Sequence, residues 1–365
     1  MLLFIIINEF LPFLLLYRET FDNQDACRPQ KNIFFLKTHK TGSSTMTNIF
    51  NRFAETHHLT MALPKDGFYN FLWPLPFQSD FTNDAIKPNI LSNHARFNPE
   101  SFQELMPTGT RYVTILRNPL TQYPSLFKFM DLASVLNLNS NQKHWQAMEY
   151  FLNNSYNILK SLQQHNPQVL VDNPSLYLLR NPQFFDLGFE PLLSDDENRV
   201  HEKLTEIAKY FKLVLIMEHF DESLVLLKRK MCWNINDIVY FKHNMQIKTN
   251  EVPSSQSTEV KIFRWNRADV ILYNYFNKSL WDSIKGEGMD FWKDVALLRQ
   301  KNNELIKTCL KRGQFFDRPY AGSTSLIYGH SLRADIPFHW KQVCERMTRS
   351  EMKYIDYFRF LYQTK

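Results

Sequence analysis

The sequence predicts an α/β fold in which a central, mainly parallel sheet is flanked by helices and followed by a helical C-terminal part. Three short apolar runs support this prediction: residues 33–36, 111–116 and 212–217. Each run has the length and composition of a buried strand, and each leads into a segment with helical periodicity. Strands that alternate with helices in this way are typical of a parallel sheet.

Length and composition favour one large domain. With 365 residues, of which 44% are hydrophobic, the chain can bury a full core. The net charge is only +6, and charges of both signs are mixed along the chain. This balance predicts a basic pocket rather than a nucleic-acid-binding surface, so we expect no nucleic acid among the partners. In the C-terminal part, apolar residues recur at helical spacing over 264–284, 291–311 and 349–362.

The turn after the first strand has the composition of an anion-binding site. Lys37 and Lys40 supply ammonium groups, and Gly42 lets the backbone approach a ligand closely. A helical pattern follows from Thr45, and the backbone N–H groups at a helix start favour negative charge. The turn also carries a series of hydroxyl groups, of which the last three are natural N-cap residues: Thr38, Thr41, Ser43, Ser44 and Thr45.

This turn differs from the P-loop that binds nucleoside triphosphates. That motif reads G-x-x-x-x-G-K-[ST], with the lysine after the second glycine. In this chain Lys40 precedes Gly42, and no glycine lies four residues upstream. A kinase or NTPase that binds ATP and magnesium at the same turn is the rival enzyme hypothesis, and the missing motif speaks against it.

A second candidate anion site follows the strand at 111–116. Arg117 stands at the carboxyl end of this strand, and Ser125 follows eight positions later on the next helical pattern. The planar guanidinium fork matches phosphate oxygens bidentately. The alternative is an ordinary surface cation and a solvated serine.

Both sites resemble the donor-binding elements of sulfotransferases that use 3'-phosphoadenosine 5'-phosphosulfate (PAPS). Residues 40–45 resemble the 5'-phosphosulfate loop, and Arg117 with Ser125 resembles the pair that holds the 3'-phosphate. From Cys27 to its C-terminus the chain is similar to the galactose 3-O-sulfotransferase family, and the following segments carry the resemblance in family order: FLKTHKTGSST, SNHARF, VTILRNP, YLLRNPQFFDLGFE, HFDESLVLLK, CWNINDIVYFK and NKSLW. The chain departs from the usual family pattern at Asn118, where aspartate is usual, and at Gly42, where alanine is usual.

The resemblance implies a P-loop-like sulfotransferase fold over residues 32–365. It implies transfer of sulfate from PAPS, without a metal, to the 3-hydroxyl of a terminal galactose on a glycolipid or glycan acceptor. Lys40 would also be catalytic, because a fixed cation stabilises charge on the bridging oxygen as the sulfuryl group leaves. The donor-binding residues implied are Lys37, Thr38, Lys40, Thr41, Gly42, Ser43, Ser44, Thr45, Arg117 and Ser125. Lys242 lies in a segment similar to the late loop that closes over the nucleotide, and a solvated lysine is the alternative there.

His94 is the predicted catalytic base. It follows a second predicted strand at residues 90–91, where open α/β sheets place ligand-contacting groups. Histidine titrates near neutral pH and can take the proton of an alcohol, and a histidine at a similar place is the base in related uronosyl 2-O-sulfotransferases. The alternative is a hydrogen-bonded core histidine, and His39, His57 and His58 are the other candidates considered.

Three further predictions concern Arg180, two glycosylation triplets and the cysteines. Arg180, within the family segment YLLRNPQ, contacts either the acceptor or the cofactor, or it forms an internal ion pair with Asp186 or Glu190. Asn153 and Asn277 each begin an N-x-S triplet. Zinc is not expected because no C-x-x-C spacing occurs, and the following cysteines allow three pairings into two disulfides: Cys27, Cys232, Cys309 and Cys344.

The N-terminus presents a targeting question. Residues 1–17 hold two apolar runs separated by Asn8 and Glu9, which is short for a span of ~20 apolar residues. The resemblance implies a signal-anchor there, a short stem over 18–31, and a single-pass type II Golgi membrane protein with a luminal catalytic domain. A cleaved signal sequence and a mispredicted first exon are the alternatives. A non-catalytic Golgi homologue that binds nucleotide or glycan is the hypothesis from another functional class.

Overall fold

The computed structural model describes residues 27–83, 87–138, 143–166, 168–190, 196–246, 255–318 and 325–363. The predicted signal-anchor at 1–17 and most of the predicted stem lie outside these residues. Within these ranges, no helix combines the length and the apolar character needed to cross a bilayer.

The central sheet contains four parallel strands in the order β2-β1-β3-β4. The strands are β1 (Ile33–Leu36), β2 (Ile90–Leu91), β3 (Arg111–Leu116) and β4 (Leu213–Ile216). All four residues of β1 and of β4 are buried, as expected for strands covered on both faces. The predicted α/β class with a parallel sheet is confirmed, and β4 is one residue shorter at each end than its apolar run.

Helices flank this sheet and build the C-terminal part of the chain. Their bounds are α1 (Ser43–Thr56), α2 (Pro99–Leu105), α3 (Pro119–Phe129), α4 (Leu132–Val135), α5 (His144–His165), α6 (Val169–Asp172), α7 (Pro182–Asp186), α8 (Glu197–Tyr210), α9 (Phe220–Met231), α10 (Gln256–Trp265), α11 (Arg267–Lys285), α12 (Met289–Cys309), α13 (Phe338–Thr348) and α14 (Glu351–Gln363). A small antiparallel sheet has the order β5-β7-β6, with β5 (Met245–Gln246), β6 (Phe316–Asp317) and β7 (Ile327–Tyr328). The three C-terminal helices predicted from periodicity are confirmed as α11, α12 and α14.

Two apolar clusters hold these elements together. The larger surrounds the sheet, where Phe34 of β1 packs its ring 4.1 Å from that of Phe102 on α2. The smaller joins α3, α5 and α10 through Tyr123, Phe151 and Ile262. The larger cluster includes Leu36 and Leu116, the last residues of β1 and β3, so the turns that follow these strands stand on a packed base.

Two disulfides join distant parts of the chain. Of the three possible pairings, the structure has Cys27–Cys232 and Cys309–Cys344, with Cα–Cα distances of 5.7 and 5.3 Å. The second bond links the end of α12 to α13, which leads directly into α14. Asn48 of α1 also donates to the backbone carbonyls of Arg346 and Arg349 at 3.1 and 3.0 Å. The C-terminal helices are therefore tied to the first helix after the sheet.

Candidate functional site

A cavity of about 1520 Å³ lies at the carboxyl ends of β1, β3 and β4. It exceeds the 300–1,000 Å³ usual for small-molecule sites, so it can take a nucleotide together with part of an acceptor. Most of the predicted site residues line it: Lys37, Lys40, Gly42, Ser43, Ser44, Thr45, His94, Arg117, Ser125 and Lys242. The structure therefore brings together residues that span more than half of the chain.

The start of α1 differs from the prediction. The helix begins at Ser43, two residues before the predicted start, and Gly42 is its N-cap, with a φ of 81° and no side-chain hydrogen bond. Ser43, Ser44 and Thr45 are therefore helical residues, and the prediction that they cap the helix is wrong. The left-handed backbone at Gly42 favours glycine, and a Cβ atom there would displace the flexible side chain of Met217.

Hydroxyl groups inside the turn stabilise its shape. The Thr38 hydroxyl donates to the backbone carbonyl of Ile115 at 2.5 Å and lies 2.8 Å from the hydroxyl of Thr41. The Ser43 hydroxyl donates to the carbonyl of Thr38 at 2.6 Å. Thr38 and Thr41 are completely buried and are not among the cavity-lining side chains. Their predicted ligand contacts are therefore restricted to backbone groups.

The late segment 241–246 crosses both predicted phosphate sites. The Asn244 amide donates to the hydroxyl of Ser44 at 3.0 Å. Gln246 and Ser125 exchange two hydrogen bonds, of 2.9 and 3.0 Å. The predicted contact from this segment, Lys242, lines the cavity as an exposed side chain. Sequence analysis missed the two amides, because nothing in their local pattern distinguishes them from loop residues.

Lys40 and Arg117 lie side by side. The Arg117 guanidinium donates from Nη1 to the Lys40 carbonyl at 3.1 Å, and the Lys40 ammonium lies 3.6 Å from the ring centroid of Phe129. Burial, followed by the charges of Arg117 and Lys37, lowers the pKa of Lys40 from 10.5 to about 7. Burial also lowers the pKa of Arg117, and the nearby Glu218 partly offsets this effect.

This arrangement fits a polyanionic ligand. Burial and the charges of neighbouring cations destabilise the charged form of Lys40, and a bound phosphate or sulfate would relieve that cost. The left-handed Gly42 and the uncapped start of α1 add backbone N–H groups at the same edge. Lys40, Arg117 and the first turn of α1 therefore form an anion-binding edge of the cavity.

Lys37 has a different environment. Its ammonium forms a buried ion pair with the carboxylate of Glu351, the first residue of α14. The Lys37 side chain is only 4% exposed. Sequence analysis found no site residue in the C-terminal helices, and Glu351 is a cavity residue that it missed. A separation of 314 residues gives no local signal for such a pair.

Two histidines meet in the cavity. The rings of His94 and His39 stack with centroids 4.3 Å apart. Burial, followed by the charge of Lys37, lowers the pKa of His94 well below 6.5, so His94 is neutral at physiological pH. Nδ1 of His39 instead faces the buried carboxylate of Asp186 at 2.9 Å. Sequence analysis ranked His39 below His94 and missed Asp186, because contact between them requires the tertiary fold.

The remaining candidates lie elsewhere. His57 contacts Asp237 at 3.5 Å at the end of α1, outside the residues that line the cavity. Arg180 donates from Nε to the carbonyl of Trp265 at 3.2 Å and lies over its ring, and it too is outside that lining. The proposed carboxylate partners of Arg180 are engaged differently, since Glu190 pairs with Arg96 and Asp186 with His39.

The two glycosylation candidates and Asn118 also have defined positions. Asn153 is exposed on α5, whereas Asn277 is half-buried on α11 with its Oδ1 atom buried. Asn118 caps α3 by accepting from the backbone N–H of Leu120 at 3.0 Å. An asparagine is a good N-cap, so this departure from the family pattern leaves the helix start intact.

Comparison with known proteins agrees with this geometry. The family described as galactose-3-O-sulfotransferase matches residues 16–362. A galactosylceramide sulfotransferase of Mus musculus is 33% identical over 347 residues, which cover 91% of this chain and 78% of the relative. Galactose-3-O-sulfotransferase 2 of Homo sapiens is 33% identical over 353 residues, covering 92% and 84%. Galactose-3-O-sulfotransferase 3 of Homo sapiens is 30% identical over 310 residues, covering 78% and 66%.

Proposed function

The chain belongs to the galactose-3-O-sulfotransferase family and is a sulfotransferase, and from this premise we propose that it transfers the sulfuryl group of PAPS to the 3-hydroxyl of a terminal β-galactose. The observation that carries this proposal is that Lys40 and Arg117 line one cavity, where Nη1 of Arg117 lies 3.1 Å from the backbone carbonyl of Lys40. One donor molecule carries both a 5'-phosphosulfate and a 3'-phosphate, so two adjacent cationic positions match its charge distribution.

The roles of the donor-binding residues follow from their positions. PAPS, when bound, supplies an activated sulfuryl group. Lys40 and the N–H groups of residues 41–44 bind the 5'-phosphosulfate, and Lys40 stabilises negative charge on the bridging oxygen. Arg117 and Ser125 bind the 3'-phosphate, with Lys242 at the exposed side of the cavity. One of the two stacked histidines, His94 in the sequence-based prediction, receives the hydroxyl proton.

The proposed acceptor is galactosylceramide or a related glycolipid. Phe68 and Tyr69 line the cavity and are 47% and 39% exposed. Apolar rings at such a position suit the face of a sugar and the start of a lipid chain. The similarity to a galactosylceramide sulfotransferase points in the same direction. Galactose-ended glycoprotein glycans present the same hydroxyl and are the alternative acceptors.

The proposed location is the Golgi membrane, with the catalytic domain in the lumen. The two disulfides support an oxidising compartment, since such bonds are rare in the cytosol. The proposed anchor at residues 1–17 would hold the domain close to membrane-embedded glycolipids. Its test is the protease protection of the expressed protein in sealed Golgi vesicles.

A transfer assay tests the proposed reaction. Radiolabelled PAPS is incubated with the full chain and a panel of galactosylceramide, lactosylceramide and a galactose-ended glycopeptide, and PAPS binding is measured by calorimetry. We expect binding and transfer to at least one glycolipid. Transfer only to the glycopeptide would show that the acceptor is a glycoprotein glycan rather than a glycolipid. Binding of PAPS without any transfer would indicate a non-catalytic homologue. A chain that binds ATP with magnesium but not PAPS would overturn the proposal.

A further inference from the structure

We propose, on the basis of the sulfuryl transfer proposed above, that His39 is the group that accepts the proton of the acceptor hydroxyl, and that Asp186 is its positioning residue. His39 directly precedes Lys40 in the turn after β1, and it lines the same cavity. Asp186 is the last residue of α7 and is completely buried.

Three donors converge on the carboxylate of Asp186. Nδ1 of His39 lies 2.9 Å from Oδ2 and 3.0 Å from Oδ1. The backbone N–H of His39 donates to Oδ2 at 2.8 Å, and the indole N–H of Trp73 donates to Oδ1 at 3.0 Å. Because both the backbone and the ring of His39 bond to one carboxylate, the imidazole has a single orientation.

These contacts also assign the tautomer of His39. A carboxylate accepts hydrogen bonds, so the neutral ring carries its hydrogen on Nδ1 and keeps an unshared pair on Nε2. The Trp73 ring packs 4.7 Å from the imidazole, and the Gln122 amide donates to the carbonyl of His39 at 2.9 Å. Both contacts hold the residue beside Lys40, where the sulfuryl group would be bound.

His94 lacks this support. Its Nδ1 atom is buried without a hydrogen-bond partner in the described part of the chain. A proton on its ring would lie near Lys37 and against the ring of His39, and burial with these charges lowers the pKa of His94 well below 6.5. A neutral His94 therefore packs against His39 and limits its movement. An imidazolium on His39, by contrast, would have the Asp186 carboxylate as its counter-charge.

The proposed step balances in protons and electrons. The acceptor hydroxyl oxygen forms a bond to sulfur, and its proton passes to Nε2 of His39. The bond between sulfur and the bridging oxygen of the donor breaks, and its electron pair leaves with adenosine 3',5'-bisphosphate beside Lys40. The resulting imidazolium remains paired with the carboxylate of Asp186 until solvent removes the proton.

Other titratable groups lie near His39 and Asp186, and their contributions to a pH profile must be distinguished from those of this pair. His94 stacks on the ring of His39, and Lys37 and Lys40 lie in the same turn as His39. Asp269 of α11 lies behind α7, where it accepts from the backbone N–H groups of Gln183 and Phe184 at 3.1 and 2.8 Å. Burial raises the pKa of Asp269 to about 7, so this carboxyl can also contribute to a pH profile.

The test compares four variants of the full chain: His39→Gln, Asp186→Asn, His94→Gln and Asp269→Asn. The kcat and KM for galactosylceramide are measured from pH 5.5 to 9, with PAPS affinity by calorimetry. We expect kcat to fall about 10²–10⁴-fold in His39→Gln and Asp186→Asn with PAPS affinity retained, and less than tenfold in His94→Gln.

Chemical rescue keeps the proposal testable if Asp186→Asn fails to fold. A His39→Gly variant should regain part of its transfer activity with exogenous imidazole, which a purely structural role would not allow. Near-normal turnover in His39→Gln, or a loss of kcat in Asp269→Asn as large as that in Asp186→Asn, would overturn the assignment. Absence of transfer by the unaltered protein would overturn the proposed function itself, which separates the two failures.

Discussion

Two lysines in one turn have opposite electrostatic environments. Lys37, at the start of the turn, is buried in an ion pair with Glu351. Lys40, three residues later, is bonded through its backbone carbonyl to Arg117, and burial together with the charges of Arg117 and Lys37 lowers its pKa to about 7. A buried cation that is paired with a carboxylate contributes to the folded structure. A buried cation without such a partner lowers the stability of the fold unless a ligand supplies the opposite charge. We therefore expect a bound donor at the Lys40 end of the turn.

The largest expected effect comes from breaking the ion pair between Lys37 and Glu351. Glu351→Ala leaves the Lys37 ammonium buried without its counter-charge, and we expect a loss of about 3–5 kcal/mol in the free energy of unfolding. Chemical denaturation measures it, with exposed Glu202→Ala as the control. The double variant Lys37→Met/Glu351→Leu should recover most of the loss. An unchanged single variant would show that the pair does not stabilise the fold.

The next effect concerns the uncompensated lysine. Lys40→Ala should keep the stability of the fold but lose about 2.7–4 kcal/mol of transition-state stabilisation, which is a decrease of about 10²–10³ in kcat. Steady-state transfer assays at saturating PAPS measure it. Exposed Lys209→Ala carries the same charge change and should leave kcat unaltered. Normal turnover in Lys40→Ala would contradict the assigned role.

Arg117 should affect binding of the donor more than turnover. Arg117→Ala removes charge-assisted hydrogen bonds to the proposed 3'-phosphate, each worth about 1.5–3 kcal/mol, so PAPS affinity should fall about 10–100-fold. Calorimetry measures this, with exposed Arg312→Ala as the matched control. Affinity for adenosine 5'-phosphosulfate, which lacks the 3'-phosphate, should change little. An equal loss for both ligands would place Arg117 at a different phosphate.

The smallest expected effect is an uptake of protons when PAPS binds. The pKa of Lys40 is about 7 in the free protein, and a polyanion beside the ammonium raises it. Binding of PAPS at pH 8 should therefore take up a fraction of a proton, and affinity should weaken as pH rises above about 7. Calorimetry in two buffers of different ionisation enthalpy measures the uptake. Lys40→Arg remains charged and should show none, and zero uptake by the unaltered protein would refute this account.

Sequence patterns predicted those features that depend on local composition. The strands were predictable because continuous apolar runs identify segments buried on both faces, as in β1 and β3. Lys40 and Arg117 were predictable because parallel strands carry their following residues to one edge. The start of α1 was missed because a left-handed Gly42, rather than a hydroxyl residue, caps it.

The missed site residues depend on distant contacts. Asp186 and His39 are 147 residues apart, and the backbone of α7 must be in place before the carboxylate meets the ring. The predicted base, His94, was chosen by its position after a strand, and only the packed structure shows which of two stacked histidines has a carboxylate. Gln246 and Glu351 likewise enter the cavity from segments without a recognisable motif.

The pair between Lys37 and Glu351 has a consequence for synthesis of the protein. The turn after β1 emerges early from the ribosome, but the carboxylate that neutralises its first lysine lies in the last helix of the described chain. During translation the sheet can collapse around an uncompensated ammonium group only at a cost, so the cavity should mature only after α14 has been synthesised. Fusions or truncations that disturb α14 would then impair a site whose other charged residues belong to much earlier segments.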